Sequence, residues 1–219
     1  GNTNDKNNYR PISLLPVLSK VFEKLLLQQI LVYLEKNNIL SEHQFGFRKN
    51  SSAISGVINF IEQIINCFEK GAYYQALFLD LSKAFDTISH QILMEKLKIY
   101  NFDFCSITLI KSYLHDRSQR VKLNGILSQP LTVRHGVPQG SILGPLLFLL
   151  YINDLPYTIP TMDKTLYADD TSVGQADSDL NVLQELTRTS YKRIEEWMEA
   201  NKLHLNKAKT VEMIFSLKQ

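Results

Sequence analysis

Tyr167-Ala168-Asp169-Asp170 places two adjacent carboxylates between two short, largely apolar runs, Thr165-Leu166-Tyr167 before them and Thr171-Ser172-Val173 after them. This pattern predicts a β-hairpin whose turn carries paired acids. Successive side chains of a strand point to opposite faces, so the turn geometry decides whether both acids reach one site. Because carboxylates buried together are unfavourable unless a cation neutralises them, a divalent ion with oxygen ligands is the natural partner. An ordinary Asp-Asp turn is the alternative, since Asp favours turns through local hydrogen bonds.

A second acid ends an apolar run of strand length, Ala76-Leu77-Phe78-Leu79-Asp80, which a polar turn and then a helix follow. Asp80 is therefore expected at the carboxyl end of a buried strand, where an unpaired carboxylate is costly. A helix N-cap for the following segment is the alternative interpretation. A sheet that placed Asp80 beside Asp169 would hold two Mg²⁺ ions about 3.5–4 Å apart, the arrangement used for in-line phosphoryl transfer.

A third segment combines three glycines and two prolines in twelve residues, Arg134-His135-Gly136-Val137-Pro138-Gln139-Gly140-Ser141-Ile142-Leu143-Gly144-Pro145, and runs into an apolar stretch over 146–152. We expect a loop followed by a buried helix from about Ser141. Glycines before a helix N-terminus let the backbone approach a ligand closely. A plain loop and a core helix would explain the hydrophobicity but not why Gln139 and Gly140 stand at the turn.

Taken in order, these segments resemble the reverse transcriptase domain of non-LTR (LINE-type, jockey-like) retrotransposons. Three further stretches carry the resemblance over nearly the whole chain. Tyr9-Arg10-Pro11-Ile12-Ser13-Leu14-Leu15 is similar to the first finger motif of the family, and Gln44-Phe45-Gly46-Phe47-Arg48 to the second. Asn206-Lys207-Ala208-Lys209-Thr210 is similar to the Asn-x-x-Lys-Thr segment that follows the acidic hairpin. Each motif alone is a weak match, but their order and spacing argue against coincidence.

The resemblance implies an α+β fold of the right-hand polymerase type, in which an antiparallel palm sheet is backed by helices. It places the fingers at about residues 1–72 and mainly palm at about residues 73–219. The nicking endonuclease and the thumb of a full-length family member are not expected within these 219 residues. The chain shows no internal repeat, low-complexity run or linker, which favours a single α+β unit.

Local patterns predict the elements. Apolar periodicity predicts helices over 17–36, 51–70, 89–100, 104–115 and 179–201. We expect a strand at 73–80, a final pair of strands at 202–205 and 210–215, and a hairpin at 120–125 around its Asn-Gly turn. The apolar positions expected on one face of the first helix are Val21, Phe22, Leu25, Leu26 and Ile30. Those expected on one stripe of the last helix are Leu183, Leu186, Ile194, Trp197 and Met198.

The resemblance also implies catalytic roles. Asp80 and Asp169, assisted by Asp170, would bind two Mg²⁺ ions, with Mn²⁺ as the alternative ion. One ion would lower the pKa of the primer 3′-hydroxyl, and the other would neutralise the triphosphate and the leaving pyrophosphate. Lys209 would protonate that pyrophosphate, although a lone lysine in a turn is commonly just solvated. Asp86 and Asp154 are expected to be structural acids, at a cap and a turn.

Nucleotide binding involves a second group of residues. Arg10 and Arg48 would hold the incoming triphosphate, since a guanidinium fork suits phosphate oxygens; solvated surface arginines are the alternative. Phe85 would lie beneath the sugar and exclude a 2′-hydroxyl, or else be a core residue at a helix start. Gln139 and Gly140 would shape the nucleotide and template pocket.

Basic side chains cluster around the expected hairpin before the glycine-rich loop. They are Arg117, Arg120, Lys122 and Arg134. By charge alone they would follow a nucleic-acid backbone, although exposed hairpin charges are common in any protein. The net charge of +2 is too small to indicate a nucleic-acid binder by itself.

The implied function is RNA-directed DNA polymerase, with an RNA template, a DNA primer and deoxynucleoside triphosphates as partners. A catalytically silent, retroelement-derived nucleic-acid-binding protein and a two-metal nuclease are the alternatives. The spacing of Cys67 and Cys105 suggests neither a zinc site nor a disulfide framework, so an intracellular location, nucleus or cytoplasm, is the expectation. No stretch indicates a membrane span or a signal peptide, and nothing indicates an oligomeric state.

Overall fold

The computed structural model describes residue 9, residues 12–49 and residues 51–217. The helices it describes are α1 Val17–Lys36, α2 Ala53–Glu69, α3 Ala84–Thr87, α4 His90–Ile99, α5 Phe104–Leu114, α6 Gly144–Ile152, α7 Leu155–Thr158 and α8 Leu180–Ala200. The strands are β1 Tyr73–Leu79, β2 Ser118–Gln119, β3 Lys122–Leu123, β4 Ile126–Leu127, β5 Leu131–Thr132, β6 Asp163–Tyr167, β7 Asp170–Asp177 and β8 Val211–Phe215. No helix within these ranges is both long enough and apolar enough to cross a bilayer.

A four-stranded antiparallel sheet in the order β6-β7-β1-β8 forms the centre of the fold. In the pairing of β1 with β7, Leu79 lies opposite Thr171. Continuing that register by one residue places Asp80 opposite Asp170. The sheet therefore brings the end of β1 to the turn between β6 and β7, and its antiparallel pairing confirms the predicted α+β class.

Helices cover both faces of the sheet because successive strand residues alternate between faces. On one face, Tyr74 and Ala76 of β1 pack with Phe60 and Cys67 of α2. On the other face, Leu77 and Leu79 join the main core with the other helices, α8 among them. Helix α6 runs through that core, and every residue of it except Pro145 is buried. This burial on all sides explains why α6 is apolar all round instead of amphipathic.

The predicted face of α1 is wrong in part. Val21, Phe22 and Leu25 are 54%, 48% and 54% exposed, whereas Glu23 and Leu34 are the buried residues of this helix. The helix turns Glu23 inward because backbone amides of the loop before α6 satisfy its carboxylate. An apolar face therefore remains toward solvent.

Two predictions for the end of the chain are also wrong in part. Leu186 is exposed, although the other four residues of the α8 stripe are buried. Residues 202–205 do not pair with β8, which lies against β1 instead. Only Leu205 makes a strand-like bridge, to Leu81, while Leu203 enters the main core. This segment joins α8 to β8 by running past the end of β1.

The two acids expected to be structural differ in their surroundings. Asp154 accepts a hydrogen bond from the buried Lys96 ammonium at 2.5 Å, at the start of α7, which agrees with a structural role. Asp86 lies inside α3, whose N-cap is Lys83, so the expected cap at Asp86 is wrong. Partial burial raises the pKa of the Asp86 carboxyl above its ordinary value, and the charge of Lys83 opposes that shift.

Candidate active site

The turn between β6 and β7 consists of Ala168 and Asp169, and Asp170 begins β7. Tyr167 pairs with Asp170 across the hairpin, and Ala168 adopts a left-handed φ of +56° that reverses the chain. Asp169 is half-buried and Asp170 is exposed. Since Asp80 directly follows the neighbouring strand β1, the backbones of all three acids lie at one edge of the sheet.

The backbone around Asp80 is fixed by the segment that contains Lys209. The amide of Asn206 donates to the Asp80 carbonyl at 2.8 Å, and the amide of Ser82 donates to the His204 carbonyl at 2.9 Å. The turn from Asn206 then brings the Lys209 Nζ to 4.0 Å from Asp80 Oδ2. Lys209 thus reaches the acidic edge, although both side chains remain open to solvent.

The second finger motif, residues 44–48, forms hydrogen bonds with the turn that carries Asp169. Gln44 Oε1 accepts hydrogen bonds from the amides of Gly46, at 2.8 Å, and Ala168, at 3.0 Å. The Phe45 amide donates to the Leu166 carbonyl at 2.7 Å. A Cβ on Gly46 would lie 2.5 Å from the Ala168 nitrogen, so only glycine permits this approach. Sequence reasoning had selected this motif for Arg48 and missed Gln44 and Gly46.

Of the two arginines in the finger motifs, Arg10 and Arg48, the structure describes Arg48. Arg48 is half-buried, and its Nη1 donates to the carbonyl of Ser41 at 2.6 Å. One end of its guanidinium group therefore holds the finger segment itself, which leaves its remaining donors for another partner. Arg10 lies outside the described residues.

The glycine-rich loop is bound to the segment that contains Phe85. The Gly136 amide donates to Ile88 and the Val137 amide to Phe85, both at 2.8 Å, and His90 Nε2 lies 2.7 Å from the Gly136 carbonyl. The Phe85 ring is half-buried, with its centroid 4.8 Å from that of Phe148. Half-burial is compatible with both predictions for Phe85, a sugar contact and a core residue.

The middle of the loop faces the first finger motif. The Ser13 amide donates to the Gln139 carbonyl at 2.9 Å. Gly140 has a φ of +90° and is exposed, and a Cβ there would lie 3.3 Å from Ile12. Gln139 and Gly140 therefore lie between the finger segment and the Phe85 segment.

The basic residues surround a small exposed β-structure in which β2 pairs with β5 and β3 with β4. Asn124 and Gly125 form the predicted turn with φ values of +50° and +81°. Arg120, Lys122 and Arg134 are exposed. Arg117 instead lies with its guanidinium 5.2 Å from the Tyr113 ring centre and donates to the Tyr113 carbonyl at 3.2 Å.

Comparison with known sequences agrees with this arrangement. The profile of the family described as reverse transcriptase (RNA-dependent DNA polymerase) matches residues 2–217. The chain belongs to the reverse transcriptase family.

Its relatives include retrotransposon polymerases of Drosophila melanogaster. The chain is 36% identical over 217 residues to a probable RNA-directed DNA polymerase from transposon X-element, and 29% identical over 219 residues to the RNA-directed DNA polymerase from mobile element jockey. Each alignment covers 97% of this chain but 24% of the relative, so the chain spans about a quarter of their length. These relatives confirm the resemblance to non-LTR reverse transcriptases.

Solved structures agree on the fold. Telomerase from Candida tropicalis, in complex with a fragment of telomeric RNA, superposes with a TM-score of 0.62 at 15% identity, over 93% of this chain and 34% of that one. Apo telomerase of the same species, truncated from its C-terminal domain, gives a TM-score of 0.61 at 16% identity, over 92% of this chain and 41% of that one. The reverse transcriptase palm and fingers fold is therefore the fold of this chain.

The chemistry of the acidic edge fits a hard divalent cation. Asp80, Asp169 and Asp170 offer only carboxylate oxygens, the ligands that Mg²⁺ prefers. Within the described residues, no group of three or more His, Cys, Asp or Glu side chains could hold a metal ion. Mg²⁺ commonly binds to one or two carboxylates and completes its shell with water and substrate phosphates. The donor atoms at this edge thus suit a hard divalent cation.

We predict that Gly136→Ala destabilises the protein more than Gly125→Ala. Both glycines have a φ near +80°, which costs any other residue about 1–2 kcal/mol. A Cβ at Gly136 would lie 2.7 Å from backbone atoms of Phe85 and Asp86, whereas a Cβ at Gly125 meets nothing within 4 Å. Crowding should add about 1–3 kcal/mol at Gly136. Denaturant unfolding of both variants measures the difference, and equal losses would contradict the close packing of this loop.

Proposed function

We propose that this chain is the polymerase part of a non-LTR retrotransposon protein that copies an RNA template into DNA. It extends a DNA primer with deoxynucleoside triphosphates. The observation that carries the proposal is the register of β1 with β7, which places Asp80 at the Asp169-Asp170 turn with Lys209 beside it. Membership of the reverse transcriptase family supports the same reaction.

Asp80, Asp169 and Asp170 would hold two Mg²⁺ ions, with Mn²⁺ as the alternative. Once bound, the ions would lower the pKa of the primer 3′-hydroxyl and offset the charge of the triphosphate and leaving pyrophosphate. The protein's own contribution is to present the three carboxylates from two paired strands, so that their backbones are fixed before substrate arrives. Such preorganisation is where much of the catalytic power of phosphoryl-transfer sites lies.

Lys209 would give a proton to the leaving pyrophosphate. Its Nζ lies 4.0 Å from Asp80 Oδ2, on a turn that Asn206 ties to the end of β1. An ammonium group at that position would approach the triphosphate from the edge of the sheet that carries the three acids. It neutralises charge as well as supplying the proton.

The nucleotide would lie between Phe85, Gln139 and Gly140. The Phe85 ring discriminates against a ribose by occupying the volume of a 2′-hydroxyl, and Gly140 lets the backbone approach the base pair closely. Arg48 and Arg10 would contact the triphosphate from the fingers. The fingers would comprise about residues 1–72 and the palm mainly residues 73–219.

The basic hairpin would follow the template–primer backbone. Arg120, Lys122 and Arg134 are exposed, as a phosphate contact requires. Contacts of this kind bind without reading sequence. An intracellular site of action follows from the substrates. A catalytically silent nucleic-acid binder is the second candidate, but no observation favours it, since all three acids are in place.

Replacing Asp169 by Asn should abolish primer extension on an RNA template with Mg²⁺ and leave the fold intact. Asn keeps the shape of the side chain but removes the charge that the ions need, so we expect a loss of at least about 10³-fold in rate. Asp177→Asn, at the far end of β7, is the matched control and should extend primers like the wild type. Wild-type extension by the Asp169 variant would exclude this reaction at this site.

Arg120→Ala combined with Lys122→Ala should weaken binding to a primer–template duplex and flatten its dependence on salt. Removing two phosphate contacts reduces the slope of log K against log salt by about 1.4 to 1.8. Lys192→Ala combined with Arg193→Ala removes the same charge from exposed positions of α8 and should leave the slope unchanged. If both double variants behave alike, the hairpin makes no phosphate contact.

Phe85→Val should raise ribonucleotide incorporation relative to deoxynucleotide incorporation by about tenfold or more, because the smaller side chain admits a 2′-hydroxyl. Phe148→Val is the control, since it truncates the buried partner of the same ring pair. That variant should lower the melting temperature and keep the ratio. A Phe85 variant with a lower melting temperature and an unchanged ratio would show that Phe85 is a core residue only.

A further inference from the structure

Glu23 is a fully buried carboxylate, 0% exposed, on the finger helix α1. Its Oε2 accepts hydrogen bonds from the amides of Ile142, at 2.7 Å, and Leu143, at 3.2 Å. Its Oε1 accepts one from the Ser19 hydroxyl at 3.2 Å. Burying a charge without compensation is strongly unfavourable. In the described part of the chain, none of the ion pairs includes Glu23. The phenol of Tyr113 also lies beside it, since burial and then the nearby Glu23 carboxylate raise the pKa of Tyr113. Neutral donors therefore stabilise the Glu23 charge.

The two amides belong to the stretch between Gly140 and helix α6. They precede the first turn of a nine-residue helix, where backbone N–H groups lack intrahelical partners and the helix dipole favours negative charge. Hydrogen bonds from amides to a carboxylate are stronger than bonds between neutral groups. Glu23 therefore fixes the loop just beyond the residues that face the nucleotide.

A second finger contact fixes the other side of those residues. The Ser13 amide donates to the Gln139 carbonyl at 2.9 Å. Gln139 and Gly140 are consequently held between two anchors from the first 23 residues, one from Ser13 and one from Glu23. From the palm side, the amides of Gly136 and Val137 donate to the carbonyls of Ile88 and Phe85.

We infer that Glu23 is a positioning residue that sets the conformation of the Gln139-Gly140 loop for the incoming nucleotide. It touches no substrate and acts through the amides of Ile142 and Leu143. The inference rests on the proposed polymerase function. A helix cap without this role would affect the amount of folded protein but not the affinity of the folded site for nucleotide.

The test compares Glu23→Gln with Glu23→Met in primer extension on an RNA template. Gln has the same reach and keeps an oxygen acceptor, so its KM for deoxynucleotide should stay within about twofold of the wild type. Met has similar length and no acceptor that suits an amide, and leaves two amides unpaired. It should raise KM by about tenfold, with a smaller change in kcat.

Leu34→Ala is the matched control, because Leu34 is buried on the same helix and leaves the loop untouched. It should lower the melting temperature with KM unchanged. An unchanged KM in the Met variant, or an equal rise in the Leu34 variant, would overturn the inference. If the Met variant does not fold, Glu23→Asp replaces it: its shorter side chain withdraws the carboxylate, so KM should rise, and an unchanged KM would again overturn the inference.

Amide hydrogen exchange at Ile142 and Leu143 separates this inference from the proposed function. Exchange should be slow in the wild type and in the Gln variant and faster in the Met or Asp variant. If the wild type extends no primer, the polymerase proposal fails while exchange still reports on the anchor. Equal exchange rates in all variants would overturn the role of Glu23 whatever the activity.

Discussion

The antiparallel pairing of β1 with β7 is the constraint on which the site depends. Side chains alternate along a strand, so a slip of one residue would turn Asp80 to the other face and separate it from the hairpin acids. A packing contact resists that slip. Gly174 pairs with Ala76, and the fully buried Tyr74 ring occupies the space that a side chain at Gly174 would need. Pairing and packing thus specify the same register.

The parts around this edge are held mainly by bonds to backbone groups from distant segments. Gln44 binds the amide of Ala168 in the acidic turn, Asn206 binds the carbonyl of Asp80, and Glu23 binds amides beyond the glycine-rich loop. A bond to the backbone fixes where the chain runs and leaves the neighbouring side chain free to meet a substrate. The finger segments therefore act as supports for the palm as well as carriers of basic residues.

Local signals in the sequence predicted much of this structure. The Asn124-Gly125 turn needs left-handed backbone, and the acids after β1 and β6 follow from strand length and alternation, so each depends on a few neighbouring residues. The inward face of α1, by contrast, does not depend on its neighbours in the sequence. Glu23 is buried because its carboxylate accepts a hydrogen bond from the amide of Ile142, 119 residues away, and no helical pattern contains that information. The predicted pairing of residues 202–205 with residues 210–215 was wrong for the same reason, because residues 202–205 lie against the end of β1, which is distant in the sequence.

The contact between Lys209 and Asp80 shows why the site is built from weak charge pairs on a firm backbone. At 4.0 Å, with the Lys209 side chain 67% exposed and that of Asp80 36% exposed, the pair contributes little to stability, because water screens it and holding long side chains costs entropy. A tight buried pair would have to be broken at a large cost before either group could meet another partner. In the proposed reaction, the carboxylate would be released to a cation, and the ammonium to a phosphate, at little cost. The hydrogen bond from the Asn206 amide to the Asp80 carbonyl fixes the backbone on which both groups stand.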